Sequence, residues 1–133
     1  MCITFFVDEN LGVNLVNGLR NFGIENIIHI SEVFSTGTPD SEWLKYVGEN
    51  GYIVITKDKH IRKKPKEKDA IIKYNIIAFY LGGSNQSVTE IGKQLLICWD
   101  RMNDCARQQK KKGVYTAFLI RPRGGKIEEI PLT

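Results

Sequence analysis

The sequence has no long apolar run, few cysteines and few histidines, and each shortage closes off a class of function. No run approaches the roughly 18–20 apolar residues that span a bilayer, so no transmembrane segment is expected. The opening residues, Met1-Cys2-Ile3-Thr4-Phe5-Phe6-Val7-Asp8, lack a basic stretch and a small-residue cleavage site. No signal peptide is therefore expected, and the expected location is cytoplasmic. Cys2, Cys98 and Cys105 are odd in number and form no CxxC pair, which argues against a disulfide framework and a zinc site. Cys98 and Cys105 fall on one face of an expected helix, where buried thiols are the favoured reading. His29 lies in an expected strand and His60 in a basic loop, with no ligand spacing between them. Neither is assigned to metal binding or catalysis. No internal repeat, low-complexity tract or long linker divides the 133 residues, a length that suits one domain with one hydrophobic core.

Charge is present but uneven. The net charge of +4 is mild. The cations cluster: Lys57, Lys59, Arg62, Lys63 and Lys64, with Lys66 and Lys68, form one run. Arg107 with Lys110, Lys111 and Lys112 forms a second, and Arg121, Arg123 and Lys126 a third. Clustered cations attract a polyanion by releasing its counterions. A single such run is more often a solvated loop, but three runs in a chain with an acidic site point toward RNA or DNA.

Apolar patterning alternates strand with helix. Ile3 to Val7, Ile27 to Ile30, Tyr52 to Ile55 and Ile76 to Tyr80 are short β-rich runs that read as buried strands. Leu11, Leu15, Leu19 and Phe22 keep helical spacing, with Asn10 as the expected cap and Gly23 as the stop. Thr38-Pro39 predicts a helix start with Thr38 as N-cap, and a further helix is expected from Lys66 to Tyr74. Ser87-Val88-Thr89-Glu90 is a capping box opening a long helix. Gly124-Gly125 marks the turn of a terminal hairpin. The pattern predicts an α/β fold: a mostly parallel, doubly wound sheet with a C-terminal long helix and β-hairpin. One domain over residues 1–133 is expected, with a core at about 3–81 and a helix–hairpin extension at 84–133.

In such sheets ligands bind beyond the carboxyl ends of the strands. The first strand delivers Asp8 there, with Glu9 beside it. The third delivers Asp58 after a short step. The helix after Thr38-Pro39 starts at the same edge, with Asp40 in its first turn and Glu42 close behind. Clustered carboxylates repel unless a cation sits among them. Mg²⁺ or Mn²⁺ meets that need, accepts phosphate oxygens as further ligands and activates water for phosphodiester hydrolysis. Singly, each acid has a plainer role. Asp40 can be a favourable first-turn acid, Asp58 a turn residue, Glu42 helix surface and Glu9 a supporting group. Asp8 is hardest to explain structurally, because a charge directly after Phe-Phe-Val has little reason to be there.

These residues resemble a known family. Phe5-Phe6-Val7-Asp8-Glu9-Asn10-Leu11, Asp40-Ser41-Glu42-Trp43-Leu44 and Ile53-Val54-Ile55-Thr56-Lys57-Asp58 look like the motifs of the PIN-like superfamily, to which VapC-type toxins belong. The resemblance implies a Mg²⁺- or Mn²⁺-dependent endoribonuclease with Asp8, Asp40 and Asp58 as catalytic and metal-binding residues. Glu42 matches the fourth acid less well. RNA, gripped through Lys57, Lys59, Arg62, Lys63 and Lys64, is the expected partner, together with a cognate antitoxin protein and a second copy of the chain. A membrane is not an expected partner. Two other readings stand beside the enzyme: a PIN-like module that binds RNA without cutting it, and a phosphoryl-receiver domain. The receiver ranks last, because Tyr80-Leu81-Gly82-Gly83 offers no lysine after a late strand.

Overall fold

In the computed structural model the described residues are 2–57, 65–83, 86–122 and 125–130, without the side chains of residues 65–67. The short apolar runs become strands because their side chains are buried on both faces of a sheet. They are β1 (Phe5–Val7), β2 (Ile27–His29), β3 (Ile53–Thr56), β4 (Ile77–Leu81), β5 (Thr116–Ile120) and β6 (Ile127–Ile130). Their order across the sheet is β2-β1-β3-β4-β5-β6. The first five are parallel and β6 returns antiparallel to β5. The segment beyond Gly83 thus extends the same sheet. The edges are blunt: β2 has three residues, and β6 carries Glu128 and Glu129.

Alternation along each strand divides the core into two layers. Phe5, Val7, Ile53, Ile55 and Phe79 face α1 (Val13–Asn21) and α4 (Val88–Lys112), packing on Leu15, Leu95, Trp99 and Met102. Phe6, Val54, Ala78 and Tyr80 face the opposite way, toward α2 (Asp40–Asn50) and α3 (Pro65–Lys73). Cys98 is buried in the first layer and Cys105 partly so. Burial pushes both thiols above their ordinary values, as suits packing groups.

Two helix starts differ from the sequence reading. Asn10 does not cap α1; Gly12 does, because the Asn10 N–H donates to Asp8 Oδ1 (3.1 Å) and the Leu11 N–H to the Asp8 carbonyl (3.2 Å). That turn delays the helix. Thr38 does not cap α2, because its hydroxyl donates to the Ser35 carbonyl at 2.7 Å; Pro39 is the N-cap and Asp40 the first helical residue. The capping box of Ser87 and Glu90 forms as expected.

The chain leaves β1 toward one side of the sheet and enters β3 from the other. The strand order therefore reverses between them. A crevice opens at such a switch point, beyond the carboxyl ends of the two strands.

Candidate active site

Asp8 is the first residue beyond β1 and is only 3% exposed. Val7 pairs with Ile55, which sets Asp8 level with Thr56 at the end of β3. The buried Thr56 hydroxyl donates to Asp8 Oδ2 at 2.5 Å, while Asn10 N–H donates to Oδ1. Hydrogen bonds from two directions hold the carboxylate in one orientation.

Asp40 is half-buried in the first turn of α2, where the helix dipole favours an anion. The Trp43 indole Nε1–H donates to Asp40 Oδ1 at 2.9 Å. The Trp43 ring is itself buried and stacked on Phe6, with centroids 5.8 Å apart. Asp40 is therefore tied through one indole to β1, the strand that delivers Asp8. Both acids line a pocket of about 210 Å³, with Glu9, Asn10 and Thr38 on its polar walls and Ile30 and Trp43 on its apolar ones. Glu9 also accepts from the Gly37 N–H at 3.4 Å, which joins the loop after β1 to the loop before α2.

Asp8 and Asp40 are brought together. Glu42 lies one residue before Trp43 but is exposed and does not line the pocket. Asp58, Lys59, Arg62, Lys63 and Lys64 lie outside the described residues. Lys57 is exposed immediately after β3, at the same edge. The second basic run lies away from the acids, whereas Arg121, of the third, follows β5 at the carboxyl edge. The end of α4 lies at the opposite edge: Lys110 lines a pocket of about 340 Å³ with Gly51, Ile53 and Ile77, at the amino ends of β3 and β4. Arg121 and Lys126 pair with Glu128, at 2.9 and 3.5 Å.

His29 is buried, as a core histidine should be. The Ser31 N–H donates to Nδ1 at 3.1 Å, so the ring proton sits on Nε2, which donates to the Leu11 carbonyl at 2.6 Å. The ring thereby clamps the end of β2 to the loop that carries Asp8. Neither this clamp nor the Trp43 and Thr56 tethers were found in the sequence. The one available signal was Thr56, a hydroxyl ending a strand of isoleucine and valine.

A family model described as a PIN-like domain matches residues 3–83, more than half of the chain. The chain belongs to the PIN-like domain family. No curated protein and no solved structure matches it. The PIN-like family includes nucleases, and its members commonly use divalent metals. This PIN-like domain offers carboxylate oxygens and a polar crevice, a donor set that suits a hard cation such as Mg²⁺ or Mn²⁺, which takes one or two carboxylates and keeps several waters. Among the described residues no group of three His, Cys, Asp or Glu side chains converges to hold an ion. Also among them, no helix is long and apolar enough to cross a membrane.

Proposed function

We propose that this PIN-like domain is a metal-dependent endoribonuclease that hydrolyses phosphodiester bonds at the crevice beyond the carboxyl end of β1. The convergence of Asp8 and Asp40 on one polar pocket beyond the carboxyl end of β1 is the observation that carries this reading. Asp58, two positions beyond Thr56 in sequence, completes the proposed set. A divalent ion held there would activate water and offset charge on the phosphate. The chain's own contribution is positional. Thr56 and Asn10 orient Asp8, Trp43 orients Asp40, and Lys57 raises the local concentration of phosphate at the same edge.

Hydrolysis by water leaves a 5′-phosphate and a 3′-hydroxyl. The rival route through the RNA 2′-hydroxyl leaves a cyclic phosphate and needs a positioned base and acid. His29 is occupied on both ring nitrogens and buried away from that task. End-group analysis of cleaved RNA, with and without EDTA, tests the reading. Cleavage should need Mn²⁺ or Mg²⁺ and be lost in Asp8→Asn, Asp40→Asn and Asp58→Asn, with Glu42→Ala milder. Cyclic phosphate ends, or cutting that survives EDTA, would overturn the proposal.

One observation favours the second reading, a PIN-like module that grips RNA without cutting it. Asp8 is almost fully enclosed, and both of its oxygens already accept hydrogen bonds. Purified protein that binds RNA and Mn²⁺ but never cuts selects that reading. The enzyme reading extends to the toxin of a toxin–antitoxin pair, for which a neighbouring gene encoding a small DNA-binding protein is the deciding observation.

A further inference from the structure

Glu9 stands on the wall of the crevice, although strand alternation would turn it away from Asp8. The reason is local. Strand β1 ends at Val7, and the Leu11 N–H donates to the Asp8 carbonyl, which closes a turn over residues 8–11. Neighbours in a turn need not point to opposite faces, and Asp8 and Glu9 line one pocket with Asp40. Glu42 cannot join them. Two positions apart on a helix are about 200° apart, so the turn that brings Asp40 inward sends Glu42 outward. Three carboxylate residues thus wall a pocket of about 210 Å³, and no lysine or arginine among the described residues lines it.

The three acids differ in how firmly they are held. Asp8 is enclosed, and both of its oxygens accept hydrogen bonds. Asp40 is tied to the Trp43 indole. Glu9 is exposed, and its one side-chain hydrogen bond among the described residues comes from the Gly37 N–H, at 3.4 Å. That is long for an N–H···O bond, whose usual range ends near about 3.2 Å. A carboxylate offers about four lone-pair sites, so most of the acceptor capacity of Glu9 is unused. Gly37 also has room to shift: its φ is 88°, and no atom lies within 4 Å of a Cβ placed on it.

We propose that Glu9, and not Glu42, is the further carboxylate of the crevice, and that its side chain exchanges the Gly37 N–H for a divalent cation. The inference rests on the metal-dependent reading above and adds a coupling to it. Gly37 belongs to the loop before α2, the helix that carries Asp40. Cation entry therefore unlatches that loop from the turn after β1.

Calorimetric titration with Mn²⁺ tests it, with circular dichroism confirming the fold of each variant. Glu9→Gln keeps an acceptor for the Gly37 N–H and removes only the charge. It should raise the Mn²⁺ dissociation constant at least about tenfold, as losses at metal sites typically do. Glu42→Gln should change it by less than about twofold, because an exposed charge outside the pocket is screened. At about 1 M salt the screening length falls to about 3 Å, so the Glu9→Gln defect should persist there only if the carboxylate meets the ion. In amide NMR at saturating Mg²⁺, the Gly37 resonance should move in the wild type and stay in Glu9→Gln. A wild type that takes up no Mn²⁺ overturns the metal-dependent reading and this inference with it. Binding lost in Asp8→Asn but kept in Glu9→Gln overturns this inference alone. So does a Glu9→Gln defect that vanishes at high salt, or a Gly37 resonance that moves equally in both proteins.

Discussion

At the scale of single residues, the candidate site consists of carboxylates and the neutral groups that aim them. Trp43 carries two roles that one substitution separates. Trp43→Phe keeps an aromatic ring against Phe6 but deletes the Nε1–H that holds Asp40. The loss of one hydrogen bond to a charged group, with some packing, should cost about 1.5–3 kcal/mol in urea unfolding. Calorimetric titration should show weaker Mn²⁺ binding, with Asp40 free to rotate. Binding equal to that of the wild type would mean that Asp40 needs no tether. Asp8 was legible in the sequence because it interrupts an apolar run with a charge. Its partner Thr56 was not, because that pairing depends on the register that sets Val7 beside Ile55, 48 residues away. The same holds for His29: its strand placement could be read, but its bond to the Leu11 carbonyl depends on how two loops meet.

Among the elements, contacts between helices decide what a small residue is for. Gly48 lies inside α2, where alanine is ordinarily better by about 1 kcal/mol. Here a Cβ would stand 2.4 Å from the Cβ of Tyr74 and 2.8 Å from its carbonyl oxygen, so α2 and the end of α3 meet through the glycine. Gly48→Ala should therefore destabilise by about 1–3 kcal/mol through overpacking. Gly18→Ala in α1, with open space around it, should be neutral or stabilising by up to about 1 kcal/mol. Chemical denaturation of both variants reads the contrast in sign. A second link joins α1 to the 3₁₀ turn Ile30–Glu32 after β2: Arg20 grips Glu32 with two bonds, at 2.7 and 3.0 Å. The hydrogen bond from Arg20 is the main cause that holds the Glu32 carboxyl below its ordinary value. A carboxyl lowered by folding stabilises the native state above its usual range, and that contribution is lost as pH falls below about 4.5 and through the folded value. With side chains 34% and 38% exposed, the pair contributes no more than about 1 kcal/mol. Glu32→Gln should lower Tm at pH 7 and narrow the gap to wild type in acid. Strand and helix identities were legible because their apolar periods are clean. The starts of α1 and α2 were misplaced by local competition: Asp8 captured the N–H of Asn10, and Ser35 captured the hydroxyl of Thr38.

For the whole molecule, the sequence suggests three basic runs near one acidic site, but the topology carries the second of them away. Helix α4 runs antiparallel to the strands it covers, so its lysine-rich end reaches the far edge from Asp8. If RNA binds at the crevice, replacing Lys110, Lys111 and Lys112 with alanine should leave its affinity within about twofold. Replacing Arg62, Lys63 and Lys64 should weaken binding and flatten its dependence on salt, since each lost phosphate contact releases fewer counterions. Fluorescence anisotropy between about 50 and 200 mM salt separates the two cases, because that range is where such contacts weaken most. Equal losses in both variants would place the RNA across the whole surface instead. The two carboxylates also belong to different parts of the architecture: Asp8 is fixed to the sheet, whereas Asp40 rides on α2. Any ligand that bridges them stitches a helix to a strand. It must then raise the temperature at which the native state melts, in proportion to the logarithm of its concentration above Kd. Resistance to heat thus becomes a screen for what occupies the crevice, and it works before any reaction is assayed.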